Sequence, residues 1–265
     1  MGEAISASID HLEAMWRSID GLCEGLSESE WKRPTGCPGW SVQDNVAHLI
    51  DYEAAALGRP RPEHAPGQLA HVKNALGESN EVGVDQRRGL PGDVVLEEFR
   101  EVTAARLAQL HALTVGDLDR EVTTPAGPGT LADMLTLRVM DTWSHEQDIR
   151  RALQRPGNDT GAAATEAVVY FCRFLPLVVG KRAGAPEGST VVINVAGVHE
   201  VAITVTGGRA KLVDDAPTSP TVRLSMPPTT FAALVGGRTD VPDDVVVSGD
   251  TALGDAVLAA LGFLP

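Results

Sequence analysis

The chain has 265 residues, 43% of them hydrophobic, with 22 Lys plus Arg against 36 Asp plus Glu and a formal charge of -14. This length suits one large or two modest domains, and the composition lies well away from the polar, highly charged range of disordered chains. A protein that binds phosphate backbones needs a basic face, and no run of Lys and Arg here exceeds two, which excludes nucleic acid as a partner.

The N-terminus, Met1-Gly2-Glu3-Ala4, carries an acid where a secretory leader carries a base, so the cytoplasm is the expected compartment. Residues 5 to 25 read as an amphipathic helix, with Ile5, Ile9, Leu12, Met15, Trp16, Ile19 and Leu22 recurring at threes and fours and Gly25 at its end. A turn-rich stretch from Pro34 to Trp40 follows. Ser41 has capping-box spacing to Asp44, which predicts a second helix through Val46, Leu49, Ile50 and Ala54 to Gly58, ahead of the helix-breaking Pro60 and Pro62. Residues 59 to 91 are mixed, with short helices expected at 67 to 77 and 79 to 88. Long helices are expected from 91 to 113 and from 130 to 153, the latter dense enough in apolar residues to be buried on more than one side. A fifth covers 160 to 179. The apolar run 174 to 179 falls short of the roughly 18 residues a spanning helix needs, so no membrane span is expected.

After Gly180 the pattern becomes β-branched and alternating. Strands are expected at 190 to 195, 201 to 205, 221 to 225 and 245 to 247, with turns at Gly207-Gly208 and Asp214-Asp215. A short helix opens at Pro227-Pro228, and Asp250 caps a last one to about Leu261. The Gly/Pro-rich segment 180 to 189 therefore divides the chain into a helical domain, 1–180, and an α+β domain, 181–265. The second carries 6 basic and 9 acidic side chains and the first 16 and 27, so most of the negative charge is on the helical part. Cys23, Cys37 and Cys172 are odd in number, with no C-x-x-C pair, which fits reduced thiols.

Two histidines lie inside strongly periodic helices, each with an acid four residues earlier: His48 after Asp44, and His145 after Asp141. Side chains at i and i+4 share a helix face, about 6 Å apart at Cβ, so Asp141 and His145 can converge on one ion. His48 on a neighbouring helix can supply a third ligand, leaving an open coordination position. Such spacing is also that of an ordinary surface pair or a satisfied helix histidine, and the residues alone leave both readings open. The other histidines, His11, His64, His71, His111 and His199, fall in polar contexts and read as solvated. The four tryptophans read as packing residues.

The run Trp31-Lys32-Arg33-Pro34-Thr35, then Cys37-Pro38-Gly39-Trp40-Ser41-Val42 and Asp44-Asn45-Val46-Ala47-His48-Leu49 with Glu53 after it, resembles the N-terminal signature of the mycothiol-dependent maleylpyruvate isomerase family. Asp141-Thr142-Trp143-Ser144-His145-Glu146-Gln147-Asp148-Ile149-Arg150 resembles its second signature. Gly236-Gly237-Arg238 and Val247-Ser248-Gly249-Asp250 resemble its C-terminal domain. The resemblance implies a DinB-like four-helix bundle followed by a small sterol-carrier-like α+β domain. It also implies a divalent metal, zinc by its ligand set, held by His48, Asp141 and His145. Where the isomerases tend to carry Glu, this chain has Asp141, a methylene shorter.

A zinc ion there would bind a thiol as thiolate, lowering its pKa from about 8.5. The resemblance makes that thiol mycothiol, acting on a small electrophile: loss of the thiol after rotation gives cis-trans isomerisation, and its retention gives S-transfer. Asp148 and Glu146 are candidates for proton transfer, and Arg238 for an anionic substrate. Two other classes stay open: a non-catalytic bundle whose tail binds a ligand, and a metal-dependent hydrolase with Glu146 or Asp148 as base.

Overall fold

The computed structural model describes residues 2–61, 63–125 and 127–263, with side chains from residue 6 onward. Its N-terminal part consists of α1 (Gly2–Cys23), α2 (Glu28–Trp31), α3 (Val42–Ala56), α4 (Ala75–Arg88), α5 (Gly92–His111), the strands β1 (Glu121–Thr124) and β2 (Gly127–Thr130), and α6 (Leu131–Leu153). Helices α1 and α3 each pack against both α5 and α6, which makes a four-helix bundle; α4 lies against the side of α3. The apolar stripes anticipated from the periodicity close its core: Leu12, Ile19, Leu49, Ile50, Phe99, Leu110, Leu135, Trp143 and Ile149 are all fully buried.

The start of α3 is fixed by the capping box read from the sequence. Ser41 Oγ accepts from the Asp44 amide at 3.3 Å, and Asp44 Oδ2 accepts from the Ser41 amide at 2.8 Å. The same device, Thr130 with Asp133, opens α6. The helical part is not all helix, however. Glu121–Thr124 and Gly127–Thr130 pair antiparallel as a hairpin, which the Pro and Gly content of 125 to 129 disguised as a loop. The two short helices expected before residue 88 are one, α4, capped by Asn74.

The C-terminal unit begins earlier than the Gly/Pro-rich segment suggested. The chain separates into two compact units between Gly157 and Asn158, so α7 (Ala162–Cys172), the single turn α8 (Leu175–Leu177) and the π-helical turn Val178–Arg182 belong to the second unit and not to the bundle. A five-stranded sheet follows from β3 (Thr190–Val195), β4 (His199–Thr206), β5 (Arg209–Val213), β6 (Val222–Met226) and β7 (Val246–Gly249), in the order β5-β4-β3-β6-β7. Strands β3 and β6 run parallel and the other neighbours antiparallel. Helix α9 (Pro228–Val235) connects β6 towards β7. The last helix, α10 (Thr251–Ala260), is capped by Asp250 and packs on β6 and β7. The run Ala162–Arg182 is long and apolar enough to cross a membrane by length and composition, but half of its apolar window is buried within the structure. Phe171, for example, packs edge-on against Phe231 of α9. The run forms part of the core of this unit.

One close approach in the bundle is steric. A Cβ on Gly92, the first residue of α5, would overlap the indole of Trp31, which is 1% exposed. Gly92→Ala is therefore expected to destabilise the protein by about 1–3 kcal/mol despite alanine's better helix propensity. Urea unfolding followed by tryptophan fluorescence measures this, and an unshifted midpoint would show that the indole is free to move.

Candidate metal centre

Two polar stripes face each other across the α3–α6 contact. Helix α3 presents Asn45, His48 and Tyr52, spaced by three and four; α6 presents Arg138, Asp141, His145 and Asp148 in the same rhythm. His48 and His145 are 3% and 5% exposed, and Asp141 lies between them. His48 Nε2 is 3.3 Å from Asp141 Oδ2, His145 Nε2 is 3.6 Å from Asp141 Oδ1, and the two imidazole centroids are 4.7 Å apart. Among the described residues this is the cluster of His, Cys, Asp and Glu whose donor atoms come together closely enough to hold a metal ion, all within 4.8 Å of one another.

The donor set fits a tetrahedral ion. Ligand bonds of about 2.0–2.1 Å at tetrahedral angles put neighbouring ligand atoms about 3.3–3.5 Å apart; the two His–Asp separations are of this scale but fall on different carboxylate oxygens, His48 on Oδ2 and His145 on Oδ1. Neither ring nitrogen of buried His48 makes a hydrogen bond, and an ion ligated at Nε2 would remove that cost at the nitrogen facing Asp141. The tautomer of His145 is set by Asn45. The Asn45 amide donates to the Ser41 carbonyl at 2.8 Å and to Thr35 Oγ1 at 3.1 Å, so its Oδ1 is the atom facing His145 Nδ1 at 2.7 Å. With the proton on Nδ1, the lone pair of Nε2 points to Asp141 and His48. The shorter carboxylate arm of Asp141 reaches both rings.

The charges are strongly coupled. Burial would raise the Asp141 pKa, but Arg138 and the two histidines outweigh it and hold the carboxyl well below its ordinary value. His48 is lowered, because burial outweighs its attraction to Asp141. Burial also pulls His145 down, but Asp141 and Asp148 reverse the direction and raise it. Behind Asp141, Arg138 donates through Nη1 to Asp141 Oδ2 at 2.6 Å and through Nε to Glu53 Oε1 at 2.8 Å. Glu53, 1% exposed, takes Arg106 Nε on its other oxygen at 3.1 Å.

The walls are aromatic. Trp40 lies 5.0 Å from the His48 ring and 5.6 Å from that of His145, and Tyr52 meets His48 edge-on at 5.0 Å. Trp40 is anchored by its indole N–H to Glu81 Oε1 at 2.6 Å; the same carboxylate holds His71 at 2.7 Å and Arg88 at 2.9 Å. His71 is thus paired rather than solvated, as is His64, 2.7 Å from Asp85.

Of the other candidates from the sequence, Asp148 lies 3.6 Å from His145 Nδ1, on the ring edge away from Asp141. Glu146 points elsewhere: fully buried, it accepts from Ser18 of α1 at 2.7 Å and from Arg150 at 2.8 Å. Asp44 is used in the cap of α3 and in an ion pair with Arg88, not beside His48. Arg238 belongs to the C-terminal unit, where it donates to the Gly236 carbonyl at 2.8 Å. Sequence reasoning gave no role to Asn45, Tyr52, Glu53, Arg106 or Arg138. Their signal was present as polar residues on the buried face of strongly apolar helices.

A four-helix bundle with a His–Asp–His cluster between two helices, its two histidines buried, joined to a small five-stranded α+β unit, defines the class of this protein. Residues 12–150 match the mycothiol maleylpyruvate isomerase N-terminal domain and residues 162–256 the C-terminal domain of the same family, and the chain belongs to that family. Two crystal structures of mycothiol-dependent maleylpyruvate isomerase, one of a histidine-to-alanine mutant, share the fold. The mutant matches with a TM-score of 0.56 at 14% identity and the other with 0.54 at 16%, each over 92% of both chains. Uncharacterized proteins of Mycobacterium tuberculosis, from strains CDC 1551 / Oshkosh and H37Rv, are 30% identical over 144 residues. That match covers 54% of this chain and 54% of each relative, so the chain spans about half the length of the curated relatives it matches.

Among the described residues, Glu53 is the only carboxylate paired with Arg106, and it is one of two paired with Arg138. Glu53→Ala is expected to cost about 3–5 kcal/mol, the scale for breaking a buried ion pair from one side. Chemical denaturation tests this; a loss below about 1 kcal/mol, the scale of an exposed pair, would mean water reaches the two guanidinium groups.

Proposed function

We propose that this protein is a divalent-metal-dependent enzyme of the cytoplasm that uses mycothiol to isomerise a small electrophile or to transfer the thiol to it. The observation that carries the metal is the meeting of one donor atom each from His48, Asp141 and His145 within 4.8 Å of one another, with the His48 nitrogens lacking hydrogen bonds. Two imidazoles and one carboxylate are a donor set suited to zinc. Bound there, the ion would supply a positive charge that keeps the thiol deprotonated at neutral pH.

The chain's own residues prepare the site. Asn45 fixes which nitrogen of His145 is free, and Asp148 adds a second acceptor near the same Nδ1–H. Trp40 and Tyr52 exclude water from the imidazoles, which strengthens every charge interaction among them. Addition of the thiol to a carbon–carbon double bond, rotation, and loss of the thiol returns the trans isomer with no net consumption of thiol. Retention of the thiol is S-transfer. The hydrolase alternative is less supported, since Glu146 is committed to Ser18 and Arg150, and Asp148 lies near the back edge of His145. The cytoplasmic assignment rests on family likeness and on cysteines without disulfides. Burial pushes the Cys23 and Cys172 thiols up to about 12.

Metal analysis of the purified protein after zinc loading is expected to give about one ion per chain, and none in His48→Ala or His145→Ala. Retention by both variants would remove the proposed ligand set. Asn45→Leu should bind zinc about 10–100-fold more weakly, read by competition with a chromophoric chelator. Following free thiol with an unsaturated electrophile distinguishes the reactions. Isomerisation leaves the mycothiol concentration unchanged, S-transfer consumes it stoichiometrically, and turnover without any thiol would refute both.

A further inference from the structure

We infer that Arg138 sets the metal affinity of this site by competing with the ion for the charge of Asp141. This rests on the metal centre proposed above and goes beyond it, because Arg138 is not a ligand. Its side chain is 4% exposed and held on three sides. Nε is bound to Glu53 Oε1, Nη1 to Asp141 Oδ2, and the guanidinium lies over the Tyr52 ring, 4.6 Å from its centroid. Nη2 is buried with no hydrogen-bond partner, so the group is kept here even though one of its nitrogens is unsatisfied. A rigid planar fork gripped by Glu53 and stacked on an aromatic face is not easily displaced.

The buried Arg106, Glu53 and Arg138 and the partly exposed Asp141 have charges that sum to zero before any ion enters. An ion arriving between the histidines therefore meets a carboxylate already neutralised on one oxygen and a fixed like charge next to it. Oδ1, the oxygen not taken by Arg138, is the one left for ligation. Affinity is held below what the same two histidines and a free carboxylate would give. In return, less of the ion's charge is cancelled by Asp141, and more remains for an anionic thiol.

The test is a zinc titration against a competing chelator on wild-type protein, Arg138→Gln, and the double variant Arg138→Gln/Glu53→Gln, which removes the opposite charges together should the single variant not fold. Both variants are expected to bind zinc at least about tenfold more tightly than wild type, because Asp141 regains its full charge. Equal or weaker binding by the folded variants overturns the inference and makes Arg138 a group that orients Asp141. Wild-type protein that binds no zinc overturns the metal centre itself, a different failure.

Discussion

Several charged or lone-pair-bearing side chains are buried in the gap between α3 and α6, and the desolvation they cost can be met only by one another. Asp141 is the junction. On one side it faces the nitrogens of His48 and His145; on the other it accepts from Arg138, which leads through Glu53 to Arg106 on α5. Three helices of the bundle are joined by this chain of contacts, so their axial register depends on it as well as on apolar packing. A slide of one residue along α6, about 1.5 Å, would take Arg138 off Glu53 and His145 off Asn45 together.

The local structure that delivers these side chains is short and specific. A tight turn at 35 to 40, closed by the Thr35 amide to the Trp40 carbonyl at 2.9 Å, brings Trp40 over the imidazoles. One residue later Ser41 caps α3, and its carbonyl also accepts from the Asn45 side chain. The same cap residue thus starts the helix that carries His48 and orients the amide that selects the tautomer of His145. Trp40 is in turn held by Glu81 of α4, whose carboxyl stays below its ordinary pKa because His71, Trp40 and Arg88 outweigh its burial. The wall of the site and the cap of α3 are parts of one construction.

Much of this was legible in the sequence, and for identifiable reasons. Helical periodicity and the Ser41 and Asp250 caps are local signals, and they placed α1, α3, α5, α6 and α10 to within a few residues. The Asp141/His145 pair was visible because i,i+4 spacing is a property of one helix. The partners that turn it into a site, Asn45, Arg138 and Glu53, were not, since each acts across helices or on an adjacent turn through a neighbour that no spacing rule names. The division of the chain was misplaced for a related reason. Glycine and proline at 180 to 189 mark a change of secondary structure, whereas the unit boundary at residue 157 depends on which elements α7 packs against, namely α9 and β4. The β1–β2 hairpin was hidden by Pro128 and its flanking glycines, which sit in a short two-stranded ribbon where a missing donor costs little.

The acidity of the helical part also has a clearer physical meaning. Each buried acid near the site or within the bundle has an arginine: Asp44 and Glu81 have Arg88, Asp51 has Arg61, Glu53 has Arg106 and Arg138, Glu146 has Arg150, and Asp148 has Arg151 at 3.7 Å. Asp141 has Arg138. The excess negative charge is therefore carried by the surface, where salt screens it within about 8–10 Å. At longer range it draws a cation only weakly. Around His48, Asp141 and His145 the donors are therefore two imidazoles and one arginine-paired carboxylate, not the uncompensated cluster of carboxylates that gathers hard cations.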